Sequence, residues 1–260
     1  MQDTPYKPIS DFIEHAVAED VEVRIVRPMP ALAPELDTAV EALWRSAARR
    51  VAAGGAGHLF NGQVFSADTI TPRLITGHMT EFRRVVAQME DPRLGSALRV
   101  RPLAVCGVIA CKEGVIVGRR PAAAVYQPGL WQLPPAGSVD RNAVRPDGRI
   151  DLTGQLLAEL REELGLRPDQ VGMPRPMCIV EHPGSRVSDL GLALSTALDF
   201  ASIQAAHQAF GNREYDPLRV VPFADLPSFI AEIGNGLVYP AKVFLARLGL
   251  AGSSSIPTSC

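Results

Sequence analysis

The chain has 260 residues, 47% of them hydrophobic and 21% charged, which is enough apolar material for a sizeable core and far from a disordered composition. A formal net charge of −2 argues against the basic face that a nucleic-acid grip needs. No apolar run reaches the roughly 18 residues of a membrane span, and the start MQDTPYKPISDF lacks a signal-peptide apolar region, so a cytoplasmic protein with neither nucleic acid nor membrane as partner is expected.

VEVRIVR at 21–27 alternates apolar and polar residues and predicts a strand, broken by Pro28, Pro30 and Pro34. Leu36, Val40, Leu43, Trp44, Ala47 and Val51 follow helical spacing, and Pro34 suits a helix start. GGAGHLFNG at 54–62 reads as a turn and lacks the Lys-Ser/Thr ending of a phosphate loop. Asn61-Gly62 is a hairpin signal, with QVFSADTI following as a strand. RLITGH predicts another strand and MTEFRRVVAQM a short helix. RPLAVCGVIACKEGVIVGRR is two strands joined at Lys112-Glu113-Gly114, and its Cys106 and Cys111 are expected as buried free thiols. Helical spacing over Leu152–Leu164 is followed by strands at PMCIVEH and LGLALSTALDF, a helix at SIQAAHQAF, a strand at YDPLRVVPF and helices at LPSFIAEI and PAKVFLARLGL. AGSSSIPTSC reads as a flexible tail. Strands interleaved with helices predict an α/β fold.

The chemistry concentrates at LLAELREELGL. Glu159, Glu162 and Glu163 stand at i, i+3 and i+4, so a helix places three carboxylates on one side. Their mutual repulsion is offset if they bind a hard divalent cation, which prefers oxygen ligands. Gly165 follows as a left-handed cap. An isolated ELREEL is most often a solvated helix face; here the two strands before it and the turn GLWQLPPAG supply context.

These residues resemble the Nudix hydrolase family, whose box opens on a glycine and closes on Arg-Glu-U-x-Glu-Glu-x-Gly-U, with U apolar. Glu159 to Leu166 match the closing part and Gly137 the opening glycine, and VGRRPAAAVYQPGLWQLPPAG is similar to the family's approach to the box. Two departures stand out. Ala158 occupies the box arginine's place, with Arg161 as a partial replacement, and the stretch from Gly137 is lengthened around RNAVRPDGR, so that the first box glutamate falls near Ile150 or Asp151. The phrase HLFNGQVFSADTITPRLITGHMTEF is similar to a subgroup with a long N-terminal extension and an inserted box that acts on UDP-glucose and UDP-galactose.

The resemblance implies an α/β/α sandwich around a mixed sheet, spanning residues 99–250, with an N-terminal α+β extension at 1–98 packed on it and a tail at 251–260. It implies Mg²⁺, replaceable by Mn²⁺, held by Glu159, Glu162 and Glu163 as catalytic and metal residues. Glu214 is the expected further ligand and Glu181 the second choice. Arg119 and Arg120 are candidates for the diphosphate, since a guanidinium fork matches it, with a surface ion pair as the equal alternative. Phe60 and Asn61 are candidates for the base, although packing is the commoner role for Phe60 and Phe65, and for Trp131. The expected substrate is a nucleoside diphosphate-linked small molecule, a UDP-hexose first. ADP-ribose or a related compound is the alternative, and a nucleotide-binding module with little turnover the rival from another class. A homodimer is compatible with the sequence.

Overall fold

The computed structural model describes residues 11–53, 58–122, 124, 127–212 and 214–251. Residues 252–260 of the expected tail, 1–10 of the expected extension and 54–57 of the glycine-rich turn lie outside them. In chain order the elements are β1 (Ile13–Ala16), β2 (Glu22–Ile25), α1 (Pro34–Ala53), β3 (Gln63–Ile70), β4 (Leu74–Glu81), α2 (Phe82–Glu90), α3 (Gly95–Leu98), β5 (Leu103–Cys111) and β6 (Gly114–Arg119). They continue with β7 (Trp131–Gln132), β8 (Ala136–Ser138), α4 (Leu152–Leu164), β9 (Arg175–Glu181), β10 (Ser188–Ser195), α5 (Phe200–Phe210), β11 (Leu218–Val221), α6 (Leu226–Ile233) and α7 (Tyr239–Ala251). The α/β class expected from the alternation of patterns is the one observed.

The chain divides into two compact units, each built from three separated stretches. The first takes Met1–Ala104, Ser138–Gln155 and Ile179–Leu190; the second takes Val105–Gly137, Leu156–Cys178 and Gly191–Cys260.

In the first unit a three-stranded sheet has the order β2-β4-β3, with β2 parallel and β3 antiparallel to β4. The helices α1 and α2 bury Val40 and Ala87 together with Leu98 and Val100, and Leu36, Leu43 and Leu94 pack against this cluster. The segment inserted before the glutamate helix joins this unit. Ile25 N donates to Gly148 O, Ile150 N to Val23 O, and Phe65 N to Val139 O, so the insertion continues the backbone pairing of β2 and β3. Asp151 Oδ1 accepts from Gly154 N and caps the first turn of α4, which offsets the weakness that Gly154 brings there.

Two expectations need correction in this unit. The hairpin between β3 and β4 turns at Thr71–Arg73, where Leu74 N donates to the Thr71 hydroxyl. Asn61-Gly62 is no hairpin turn. Asn61 Oδ1 accepts from Arg83 N and Gly62 O from Phe82 N, so the pair satisfies the exposed amides at the start of α2. The helix expected from Met79 begins only at Phe82, because Met79–Glu81 continue the ladder with β3.

In the second unit the strand order is β9-β10-β5-β6-β11, with β7 on β6 and β8 on β5. The hairpin of β5 and β6 closes as expected at Lys112-Glu113, with Cys111 opposite Gly114. The strand expected through Phe200 stops at Ser195, since Asp199 Oδ1 accepts from Ser202 N and starts α5. Cys106 and Cys111 are buried free thiols, as expected; Cys178 is one too, and Cys260 lies outside the described residues. No described helix is long and apolar enough to cross a membrane.

Candidate active site

The helix α4 sets the site. Leu156, Leu160 and Leu164 recur every fourth residue and are fully buried, which fixes the face that packs inward. Glu159 and Glu163 run beside that stripe, while Glu162 falls on the exposed side. Gly165 ends the helix with φ +67°, the left-handed conformation expected of it.

Glu163 is 1% exposed, an unusual position for a carboxylate. Its Oε2 accepts a 2.9 Å hydrogen bond from Ala136 N on β8. Burial pushes its carboxyl well above the ordinary range, and the charges of Glu214 and Glu159 push it the same way. The Ala136 amide and the Arg120 charge oppose them. Glu159 lies against Gly137, one residue along β8, where a Cβ would overlap its carboxylate. Gly137, Glu159 and Glu163 are thus brought together, and a carboxylate occupies the space that a side chain at Gly137 would need.

Arg120 follows β6 and reaches the same cluster. Its Nη1 donates to Gln132 Oε1 at 3.0 Å, its Nη2 stands 3.4 Å from Glu214 Oε1, and its guanidinium lies 6.0 Å from the centre of the Tyr215 ring. Arg119 turns elsewhere and donates from Nε to the Gly129 carbonyl. Of the two candidate arginines, only Arg120 shares the cluster with the glutamates.

Three residues of the site carried no signal in the sequence reading. Gln132 holds Arg120. Tyr215 is fully buried, and burial together with the Glu163 charge pushes its hydroxyl well above its ordinary range. His207 sits between two backbone carbonyls, with Nδ1 2.8 Å from Glu163 O and Nε2 2.8 Å from Tyr215 O, and so ties the end of α4 to the residue after Glu214. The tyrosine could have been suspected from its place next to Glu214; the other two depend on tertiary placement alone. Among the described residues, the Arg120 Nε and the Tyr215 hydroxyl are buried with no hydrogen-bond partner.

The remaining candidates are otherwise engaged or exposed. Phe60 is 83% exposed, and Phe65 is wholly in the core. Glu181 belongs to the first unit, where Arg101, Arg186 and His15 all bond its carboxylate, so it is committed to a structural network. Trp131 packs edge-on to Phe229, and the Arg219 guanidinium stacks 4.9 Å from its ring.

A divalent cation fits the donor set by its chemistry. Glu159, Glu163 and Glu214 offer carboxylate oxygens around a buried group that added positive charge would relieve. Among the described residues no group of three or more His, Cys, Asp or Glu side chains is arranged to hold a metal ion.

No protein-family profile matches the sequence, and no curated protein matches it. Many solved structures are similar to it. The MutT protein of Methanosarcina mazei Go1 is 16% identical over 59% of this chain and 96% of its own, with a TM-score of 0.40. The C. elegans Ap4A hydrolase is 15% identical over 58% of this chain and 99% of its own, with a TM-score of 0.40. Tm1382, provisionally described as a Nudix hydrolase, is 13% identical over 74% of this chain and 90% of its own, with a TM-score of 0.48.

Proposed function

We propose that this chain is a Nudix-type, Mg²⁺-dependent hydrolase that cleaves the diphosphate bond of a nucleoside diphosphate derivative. One observation carries the reading: the buried Glu163, packed on the strand of Gly137 and surrounded by Glu159 and Glu214. A structural helix face would leave such glutamates in water. Here one is held inside, at an electrostatic cost that a cation would offset.

Glu159, Glu163 and Glu214 would hold the cation, and Glu162, exposed one turn along, would approach it from the solvent side. When bound, Mg²⁺ supplies positive charge against the diphosphate. The Ala136 amide keeps Glu163 oriented, and the space kept open by Gly137 keeps Glu159 beside it. Arg120 would meet a phosphate oxygen. Water adds to one phosphorus and the phosphoanhydride bond breaks, leaving a nucleoside monophosphate and a phosphorylated remainder.

The substrate we propose first is a UDP-hexose, giving UMP and hexose 1-phosphate. This rests on the likeness of the Phe60-Asn61-Gly62 phrase and of the inserted box to the UDP-sugar subgroup. Phe60 is exposed, and Asn61 already serves α2. A second reading, a nucleotide-binding module with little turnover, is favoured by Ala158, whose exposed methyl stands where the box has arginine. The test is a product assay with UDP-glucose, UDP-galactose, ADP-ribose, NADH and nucleoside triphosphates, with Mg²⁺, with Mn²⁺ and with chelator. Metal-dependent release of UMP, fastest from UDP-hexoses, is expected. Preference for an adenine nucleotide would discard the UDP assignment, and binding without turnover on any substrate would favour the module.

A further inference from the structure

We infer that Arg120 is a positioning residue that competes with the divalent cation for the carboxylates of Glu163 and Glu214 and, when displaced, turns its guanidinium to a phosphate oxygen of the substrate. The inference rests on the metal-dependent reading above.

Arg120 is a cation already placed inside the proposed metal site, and its hold there is loose. Its ion pair with Glu214 spans 3.4 Å, where a charge-assisted hydrogen bond closes to about 2.7–2.9 Å. Of the donors on a guanidinium, one meets Gln132, and the Nε is buried with no partner among the described residues. The Tyr215 hydroxyl is also buried without a partner among the described residues, and the ring that carries it lies 6.0 Å from the guanidinium. Buried donors left unsatisfied are costly and call for an explanation. Both groups can donate to an acceptor oxygen, which a phosphate provides in quantity. The Arg120 charge also reaches Glu163, since it draws that carboxyl back toward the ionised form.

A divalent cation at the same carboxylates would repel this guanidinium. Cation entry therefore costs the Arg120–Glu214 pair, and an incoming diphosphate recovers it by accepting Arg120. The two ligands become coupled, each favouring the other to the same degree.

The test measures Mn²⁺ binding to the full chain without substrate, by electron paramagnetic resonance of the free ion. Arg120→Gln should bind Mn²⁺ on the order of tenfold more tightly than the wild type, because one nearby like charge is gone. Arg120→Met, which keeps the apolar stem and buries no polar group, should do the same and decides the matter if the glutamine variant does not fold. Imidodiphosphate should tighten Mn²⁺ binding in the wild type by a larger factor than in either variant. Unchanged or weaker Mn²⁺ affinity in the folded variants overturns the inference. If Mn²⁺ binds the wild type and is lost in Glu163→Gln, that failure leaves the hydrolase reading standing. If the wild type binds no Mn²⁺ through Glu163, both fall.

Discussion

Glu163 and Gly137 let the site be tested one residue at a time. The folded chain holds the Glu163 carboxyl well above its unfolded value, chiefly through burial. Such a group contributes stability below the unfolded value, and that contribution is lost as pH rises through the folded value. Glu163→Gln removes the charge and keeps an oxygen for the Ala136 amide. We expect it to match the wild type near pH 4 and to exceed it at pH 8 by about 1–3 kcal/mol, while hydrolysis is lost. Urea midpoints at both pH values, without added cation, check this; a variant less stable at pH 8 would contradict the electrostatic account. Gly137→Ala places a methyl against the far end of the Glu159 side chain, which can swing aside. Stability should change by less than about 1 kcal/mol, while Mn²⁺ affinity falls several-fold; unaltered affinity would remove Glu159 from the site. The glutamates were legible in the sequence because their spacing is local, and the leucine stripe at 156, 160 and 164 even decides which of them is buried. Tyr215, His207 and Gln132 were not legible, because what they do depends on partners far along the chain.

At the scale of elements, the end of β9 is an electrostatic joint of the first unit. Burial raises the Glu181 carboxyl, but bonds from His15 and Arg101 and the charges of Arg101 and Arg186 outweigh it and hold the group at about 2. His15 comes from β1 and Arg101 from the approach to β5, so one side chain ties three segments of the unit together. Glu181→Gln should destabilise the chain by about 3 kcal/mol near neutral pH, since it leaves part-buried cations unpaired. Because the folded value is depressed, this contribution is present above the ordinary carboxylate range and fades as pH falls toward 2. Denaturation midpoints against pH would show the gap between wild type and variant closing in acid; a constant gap would assign the loss to packing. This joint was hidden in the sequence, as was β1, whose short run has no partner nearby. The helices α1, α4, α6 and α7 were legible because each carries enough turns for its apolar period to show. The strands β7 and β8 were too short for any period and exist only because β6 and β5 pair with them.

For the whole molecule, the N-terminal residues share backbone hydrogen bonds with later parts of the chain. Within the first unit β2 bonds Gly148 and Ile150, and β3 bonds Val139. A chain beginning at Arg99 would leave those backbone groups without their partners and would lose Val40, Ala87 and Leu98 from the apolar cluster, leaving Val100 uncovered. We expect it to be poorly soluble or to lose substrate selectivity, as light scattering and the nucleotide-sugar panel would report. A soluble, fully selective short chain would refute this.

The interleaving of the two units also sets an order of events during synthesis. The first unit needs Ile179–Leu190 as well as its opening residues, and the second needs the last stretch from Gly191. A ribosome that has released only the first hundred or so residues has released neither unit whole. Those residues must wait for the backbone partners that Val139, Gly148 and Ile150 supply and for Ile179–Leu190, until most of the message has been read. A slow codon cluster placed between the positions encoding Ala104 and Ile179 would lengthen that wait and should lower the soluble yield, whereas the same cluster after Leu190 should be tolerated better, because by then the first unit can close.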